Sequence, residues 1–374
     1  MINSQTSIFV NGLNSKSGGG KSILKNFCYH LNSKKLKNTF YILVPKRKDY
    51  KECNNPKIKI FSFPRIFTSQ LFLPIHFLII IPSVIFITKS KRVLNFSDIP
   101  IKTNAKQIFL FDWAYAVYPE IEIWNSMSFI EKFKRSFKIY YFKKLIDYVD
   151  IVIAQTETIK KRLIKQYNLN RVVIIPNSVA FQNLNIKKNY NFNLTSNLNF
   201  ICLTRYYIHK NLECFVPLGQ LIASKKLNIK IILTIDKNEH PLARKLLREI
   251  KKKNLEEVIV NIGPVSMEKV PSLYQQCSAL ILPTLLESFS GTYVEAMFHK
   301  KPIFTSDLDF AHDVCANNAI YFNPFDPNDI LEKILFIEKD KKMINEKISG
   351  ASQLLKEIPS WGDNFISIMK VLSE

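Results

Sequence analysis

Short apolar runs of the kind buried as parallel strands alternate with helical patterns along this chain, and the alternation begins twice. The first series of runs covers 7–10, 39–44, 92–97, 107–111, 150–155 and 172–177. A polar, Asn-rich stretch over 177–199 then interrupts it. The second series covers 199–204, 229–234, 258–262, 279–282 and 301–305. Strand-to-helix repeats close into a parallel sheet with helices on both faces. Two series joined by a polar linker therefore predict an α/β chain of two doubly wound, Rossmann-like domains facing a central cleft. The expected division is 1–180, 181–358 and 359–374. The last piece is a helix over 361–372 that follows Pro359 and can pack back on the first domain.

With 374 residues and 47% hydrophobic content, the chain has enough apolar surface for two cores. The cysteines (Cys28, Cys53, Cys202, Cys214, Cys277 and Cys315) are scattered, which fits neither a zinc site nor a disulfide framework and predicts a reducing cytoplasm. The first six residues lack a basic start, and 7–10 already reads as a strand, so no signal peptide is expected. Charge is uneven. Residues 1–180 hold 29 Lys and Arg against 10 Asp and Glu, and the remainder holds 24 against 21. A genome bias toward lysine would load both halves alike, so the imbalance points to a basic surface on the first domain. An anionic membrane is its leading partner, and nucleic acid its second.

Two segments bear on that surface. Residues 71–88 carry no charge and reach the length of a membrane span. Pro74, His76, Pro82 and the strand that follows argue for a buried helix first, a helix partly docked in a membrane interface second, and a true span last. Residues 130–145 interleave Lys132, Lys134, Arg135, Lys138, Lys143 and Lys144 with Phe133, Phe137, Tyr140, Tyr141 and Phe142. That pattern suits a helix lying on anionic headgroups, or equally a solvated face.

The chemistry concentrates at strand ends. After the apolar run to Leu282 comes a polar turn with Ser288, Ser290, Gly291 and Thr292, then a helix over 292–299. A helix starting there offers unpaired N–H groups and a positive dipole end to an anion. Glu287 and Glu295 flank it, and carboxylates beside an anion site suit the hydroxyls of a sugar or ribose attached to a phosphate. Arg205 and Lys210 follow the first strand of the second half, at the same sheet edge, and could neutralise a diphosphate leaving group without a metal. Gly263 and Val265 end another strand there, either as a close-approach wall for a nucleobase or as a plain turn. In the first half, Gly18, Gly19 and Gly20 follow a strand and open a helix. The spacing is not that of a P-loop, because Ser15 stands where the first glycine belongs. Asp112 and nearby aromatics open the loop after 107–111, as an acceptor contact or as a helix cap. Asp307 and Asp309 look like a metal-chelating D-x-D but fit better as a helix lead-in, and the six histidines are scattered, so no metal or other cofactor is expected.

Taken in order, these parts resemble the GT-B glycosyltransferases of family 4, the retaining group that builds bacterial surface polysaccharides. The resemblance rests on the Gly18–Gly20 loop, the runs 150–155 and 173–177, Arg205 with Lys210 and Asn211, Ile262 with Gly263, and Glu287-x-Phe289 followed by Glu295. It implies an acceptor-side first domain and a nucleotide-sugar donor domain second. It also implies that Arg205 and Lys210 hold the donor diphosphate, that Glu287 meets the donor sugar, and that Glu295 meets the ribose. Backbone amides from Ser290 to Thr292 would complete the phosphate site, with the glycine loop approaching donor and acceptor. Many members carry a histidine in the loop after 107–111, where this chain has Asp112. The expected activity is retaining sugar transfer to a lipid-linked saccharide, lipopolysaccharide or capsule acceptor. The expected location is cytoplasmic, peripheral on the inner face of the membrane. A nucleotide-sugar epimerase is the alternative enzyme, and a nucleic-acid-binding protein, which lacks any reading motif here, is the alternative class.

Overall fold

The computed structural model describes residues 6–16, 18–63, 72–119, 122–179 and 189–374, which form two compact units. The first takes Met1–Pro119, Ser128–Ser178 and Pro359–Glu374, and the second takes Glu120–Met127 and Val179–Ile358. Parts of the expected linker (180–188), of the glycine loop (Ser17) and of the uncharged segment (Leu71) lie outside the described residues.

The first unit is built on seven parallel strands: β1 (Ser7–Asn11), β2 (Thr39–Leu43), β3 (Ile58–Phe61), β4 (Ser90–Asn95), β5 (Lys106–Leu110), β6 (Ile151–Ala154) and β7 (Val172–Ile174). Their order across the sheet is β3-β2-β1-β4-β5-β6-β7. Ile8, Phe9 and Val10, Val93 and Leu94, Ile108 and Phe109, and Ile151 to Ala154 are buried in the inner strands, as a sheet covered by helices on both sides requires. The winding reverses between β1 and β4, where Phe9 pairs with Val93. A buried polar chain fixes that crevice. Asn11 donates to Asn95 at 3.0 Å, and Asn95 donates to Gln107 at 3.1 Å. The Asn11 and Asn95 oxygens accept from the amides of Leu13 and Ser97, so the loops leaving β1 and β4 are held by side chains beneath them.

The uncharged segment forms continuous helical turns, Leu73–Ile75, His76–Ile80 with π-type pitch, and Ile81–Ile87. Pro82 cannot donate to a carbonyl one turn back, and the wide π turn before it accommodates that gap. Phe77, Ile81 and Ile85 are buried in a cluster with Phe9, Val93 and Leu145, while Ile79 and Phe86 face outward at 60% and 83% exposure. No helix among the described residues is long and apolar enough to cross a membrane. Lys89 takes a left-handed turn (φ 50°) that ends the helix, so β4 begins at Ser90, two residues before the expected 92.

The C-terminal helix Trp361–Ser373 belongs to the first unit. Ser360 and Asp363 form a reciprocal capping box at its start. Phe365 packs on Phe27 with ring centroids 5.4 Å apart, and Asn364 donates to the Pro176 carbonyl at 2.6 Å.

In the second unit six parallel strands run β8 (Leu198–Cys202), β9 (Ile229–Leu233), β10 (Ile259–Asn261), β11 (Ala279–Leu282), β12 (Ile303–Ser306) and β13 (Ile320–Phe322). Their order is β10-β9-β8-β11-β12-β13, with the reversal between β8 and β11. In an open parallel sheet, that reversal opens a crevice at the carboxyl ends of the two strands.

Candidate functional site

Two loops leave the reversal point of the second sheet, one after β8 and one after β11, and they are stitched together. The Leu285 amide donates to the His209 carbonyl at 2.7 Å, and the buried Thr284 hydroxyl reaches the same carbonyl at 3.2 Å. Lys210, on the short turn Ile208–Lys210, then forms an ion pair with Glu287. Their side chains are only 11% and 13% exposed, and Thr284 also donates to the Glu287 carboxylate at 3.2 Å. The structure thus brings Lys210 and Glu287 into direct contact. Arg205, by contrast, is exposed and pairs with Glu239 at 3.3 Å.

The helix Gly291–Phe298 begins one residue earlier than the spacing predicts. Ser290 stands at its N-cap without a side-chain cap bond, so the first-turn amides are not satisfied by it. Thr292 is held from two sides. Its hydroxyl reaches the Leu203 carbonyl at 3.5 Å, and its carbonyl accepts from Tyr274 at 3.3 Å. Glu295 lies one turn on. Burial pushes its carboxyl up to about 7. Phe289 is half-buried between these residues in the chain. Gly263 follows β10, two strand spacings from β8, or about 10 Å across the sheet. It adopts φ +74°, and a Cβ there would meet nothing within 4 Å. The Asn261 side chain braces that loop by bonding both ways with Ile235, at 3.1 Å each, while Val265 is half-buried beyond it.

In the first unit the glycine loop sits at the reversal between β1 and β4. Helix Gly18–Asn32 starts directly on the glycines, with Gly18 at φ +60°. A Cβ on Gly20 would lie 3.5 Å from the Asp112 carboxylate, and one on Gly19 would lie 3.9 Å from it. Asp112 therefore overhangs the first turn of this helix. Gln155, at the end of β6, orients it by donating at 2.8 Å. Trp113 stands at the N-cap of the short turn Ala114–Ala116 and makes no side-chain cap bond.

Thr284, Gln155 and Tyr274 escape sequence reading. Each acts across strands or helices far apart in the chain, and a lone Thr, Gln or Tyr carries no spacing signal. Neighbouring strand order was the one signal that could have pointed to Gln155. Among the described residues no group of three or more His, Cys, Asp and Glu could hold a metal; Asp307 instead pairs with His312 at 2.7 Å.

The fold matches solved glycosyltransferases of the GT-B type. Sucrose-phosphate synthase from Thermosynechococcus elongatus superimposes with a TM-score of 0.75 at 12% identity, covering 98% of both chains. HepE from Anabaena in complex with UDP and glucose gives 0.69 at 14% identity, over 98% of this chain and 99% of that one. Among curated proteins, the O-antigen chain mannosyltransferase RfbU of Salmonella typhimurium is 26% identical over 193 residues. That region is 50% of this chain and 51% of RfbU, so the chain spans about half the length of this relative. Residues 182–353, which lie within the second unit with its Lys210–Glu287 pair, match the family model for glycosyl transferases group 1.

Proposed function

We propose that the protein is a retaining glycosyltransferase of family 4 that moves a sugar from a nucleotide-sugar to a lipid-linked oligosaccharide, lipopolysaccharide or capsule acceptor. The observation that carries this reading is the half-buried Lys210–Glu287 pair at the sheet reversal, beside a helix start that its own Ser290 does not cap. Lys210 places a positive charge where a diphosphate would lie against the Gly291 and Thr292 amides, and Arg205 supplies a second, mobile charge by leaving Glu239. Glu287 accepts hydroxyls of the donor sugar, and Glu295 accepts those of the ribose. Gly263 and Val265 border the nucleobase, with Phe289 behind the phosphates.

The protein's main contribution is then charge stabilisation of the departing diphosphate. The acceptor hydroxyl attacks on the face the leaving group departs from. The phosphate oxygen takes its proton, so no side-chain base and no metal are required. Asp112, poised over Gly19 and Gly20, orients the acceptor hydroxyl. HepE, solved in complex with UDP and glucose, and RfbU, an O-antigen chain mannosyltransferase, favour UDP as the first nucleotide to test and mannose among the first sugars. Lys210→Ala and Glu287→Ala each lower transfer well over tenfold with the fold retained. Near-wild-type turnover in both variants removes the assignment.

The same reading puts the protein on the inner face of the cytoplasmic membrane. Helix Phe129–Leu145 turns Phe129, Ile130, Phe133 and Tyr140 outward next to Lys134, Lys143 and Lys144, and the outward Ile79 and Phe86 belong to the same unit. Co-sedimentation with vesicles rises with their content of anionic lipid and falls in Phe129→Ser/Phe133→Ser. Indifference to lipid charge counts against docking.

A further inference from the structure

The six cysteines are scattered along the sequence, but the fold brings two of them together. Cys28 lies in the last two turns of helix Gly18–Asn32, and Cys53 follows the short turn Arg47–Tyr50. Their side chains are hydrogen-bonded to each other. Further contacts flank that pair along the same helix. Seven residues before Cys28, Lys21 forms an ion pair with Asp49 at 2.7 Å. Four residues after it, Asn32 donates to the Glu52 carbonyl at 3.1 Å and accepts from the Asn55 amide at 3.0 Å. Lys21, Cys28 and Asn32 share one helix face, because steps of seven and four return to the same side. Segment 49–55 therefore runs along this face, tethered at both ends, with the two sulfurs held between the tethers.

The two thiols differ as a reactive pair requires. Cys28 is 1% exposed, while Cys53 is partly open to solvent. The hydrogen bond to Cys53, with burial behind it, raises the Cys28 thiol, and the same hydrogen bond lowers that of Cys53. The proton thus stays on the buried sulfur, and the thiolate forms on the reachable one. Thiolate is the nucleophile of thiol–disulfide exchange. A cysteine that only fills space is buried with its thiol raised, as Cys202, Cys277 and Cys315 are in the second unit.

We propose that Cys53 and Cys28 are an attacking and a resolving thiol, which close to a reversible disulfide on exchange with a small-molecule disulfide such as oxidised glutathione. The Cys53 thiolate attacks one sulfur of oxidised glutathione, breaks its S–S bond and releases one glutathione thiolate. Cys28 gives its proton to that thiolate and attacks the Cys53 sulfur. The second glutathione leaves as a thiolate and takes up the proton that Cys53 had lost to solvent. Two protein thiols are oxidised by two electrons, and one glutathione disulfide is reduced to two glutathione thiols. The new bond fastens the helix that opens on Gly19 and Gly20 to segment 49–55, and excess reduced glutathione opens it again. In a reducing compartment such a pair senses oxidant rather than building the fold. The site stands whether or not the chain transfers sugars.

Thiol counting and peptide mapping of the full chain test it. The reduced protein is equilibrated with oxidised glutathione, quenched with acid, and alkylated after denaturation. Wild type is expected to lose two of its six free thiols, to yield a linked peptide joining Cys28 to Cys53, and to regain both thiols in dithiothreitol. Cys28→Ser should stop at a mixed disulfide of Cys53 with glutathione, and Cys53→Ser should leave Cys28 unreacted. If either variant fails to fold, the wild-type map decides alone. Retention of all six thiols overturns the proposal. So does a glutathione adduct on Cys53 that persists in the wild type, or a link between any other pair of cysteines.

Discussion

Glu295 should make the proposed donor site sensitive to pH, in a direction set by its burial. Its carboxyl is raised from the ordinary 4.5 to about 7 by burial alone. A shift of that size is worth about 3 kcal/mol between the two protonation states. Because the folded value is raised, the folded chain keeps a proton that the unfolded chain would lose. Glu295 therefore costs nothing below pH 4.5. The cost grows as the pH rises to 7 and is complete above it. Glu295→Gln removes the charge, so its stability advantage over the wild type should grow by about 3 kcal/mol across that interval. The ligand prediction runs opposite. Ribose hydroxyls donate best to the ionised carboxylate, and at pH 6 roughly one molecule in ten carries it. UDP affinity should fall about tenfold from pH 8 to pH 6 beyond any fall in the Gln variant, which titrates the nucleotide alone. Calorimetry in buffers of different ionisation heat should also show proton release on binding near pH 6 that exceeds any proton exchange of the variant, which reports the nucleotide phosphate alone. Identical pH slopes in the two proteins would refute both the raised carboxyl and its place in nucleotide binding.

The remaining expectations concern the scaffold. Phe365→Ala empties a buried ring from the C-terminal helix and should cost the first unit about 3 kcal/mol, read by denaturant unfolding of that unit, with nucleotide affinity unchanged. A Cβ at Gly12 would come within 2.2 Å of the buried Leu24 side chain and 3.1 Å of the Leu43 carbonyl. Gly12→Ala should therefore lower stability by about 1–3 kcal/mol, and an unchanged melting temperature would show that Leu24 has room to turn. Gln155→Leu leaves Asp112 without its 2.8 Å donor and should slow transfer several-fold while leaving UDP affinity as it was; a loss of UDP affinity would place Asp112 elsewhere.

Most strands were legible because a strand covered on both faces is apolar without interruption, as in 151–154 or 279–282. The two that escaped, β3 and β13, are edge strands. In β3 Lys59 is exposed amid isoleucines, and β13 has only three residues. Edges are half-solvated and short, so their apolar signal is weak. The Glu287 to Glu295 turn was recognisable from its spacing, and so was its place after a strand. Its wiring was not. That Lys210 chooses Glu287 while Arg205 chooses Glu239 depends on which strands are neighbours, and composition is silent on that. The raised carboxyl of Glu295 likewise reflects burial within the folded unit, which no local pattern encodes. Charge asymmetry was visible in the sequence. The meeting of Cys28 and Cys53 was not, since they stand 25 positions apart (53 − 28) on different elements.

The first unit is finished by the last piece of the chain, Pro359–Glu374. During synthesis this has a temporal consequence. Residues 179–358 intervene, and at ribosomal speeds of 5–20 residues per second they take roughly ten to forty seconds to emerge. The second unit, which needs nothing after Ile358, can close within that interval. The first must wait with the surface around Phe27 uncovered. A nascent chain stalled just before residue 359 should thus hold one finished unit and one still open, sticky and dependent on a chaperone, even though the open one was made first.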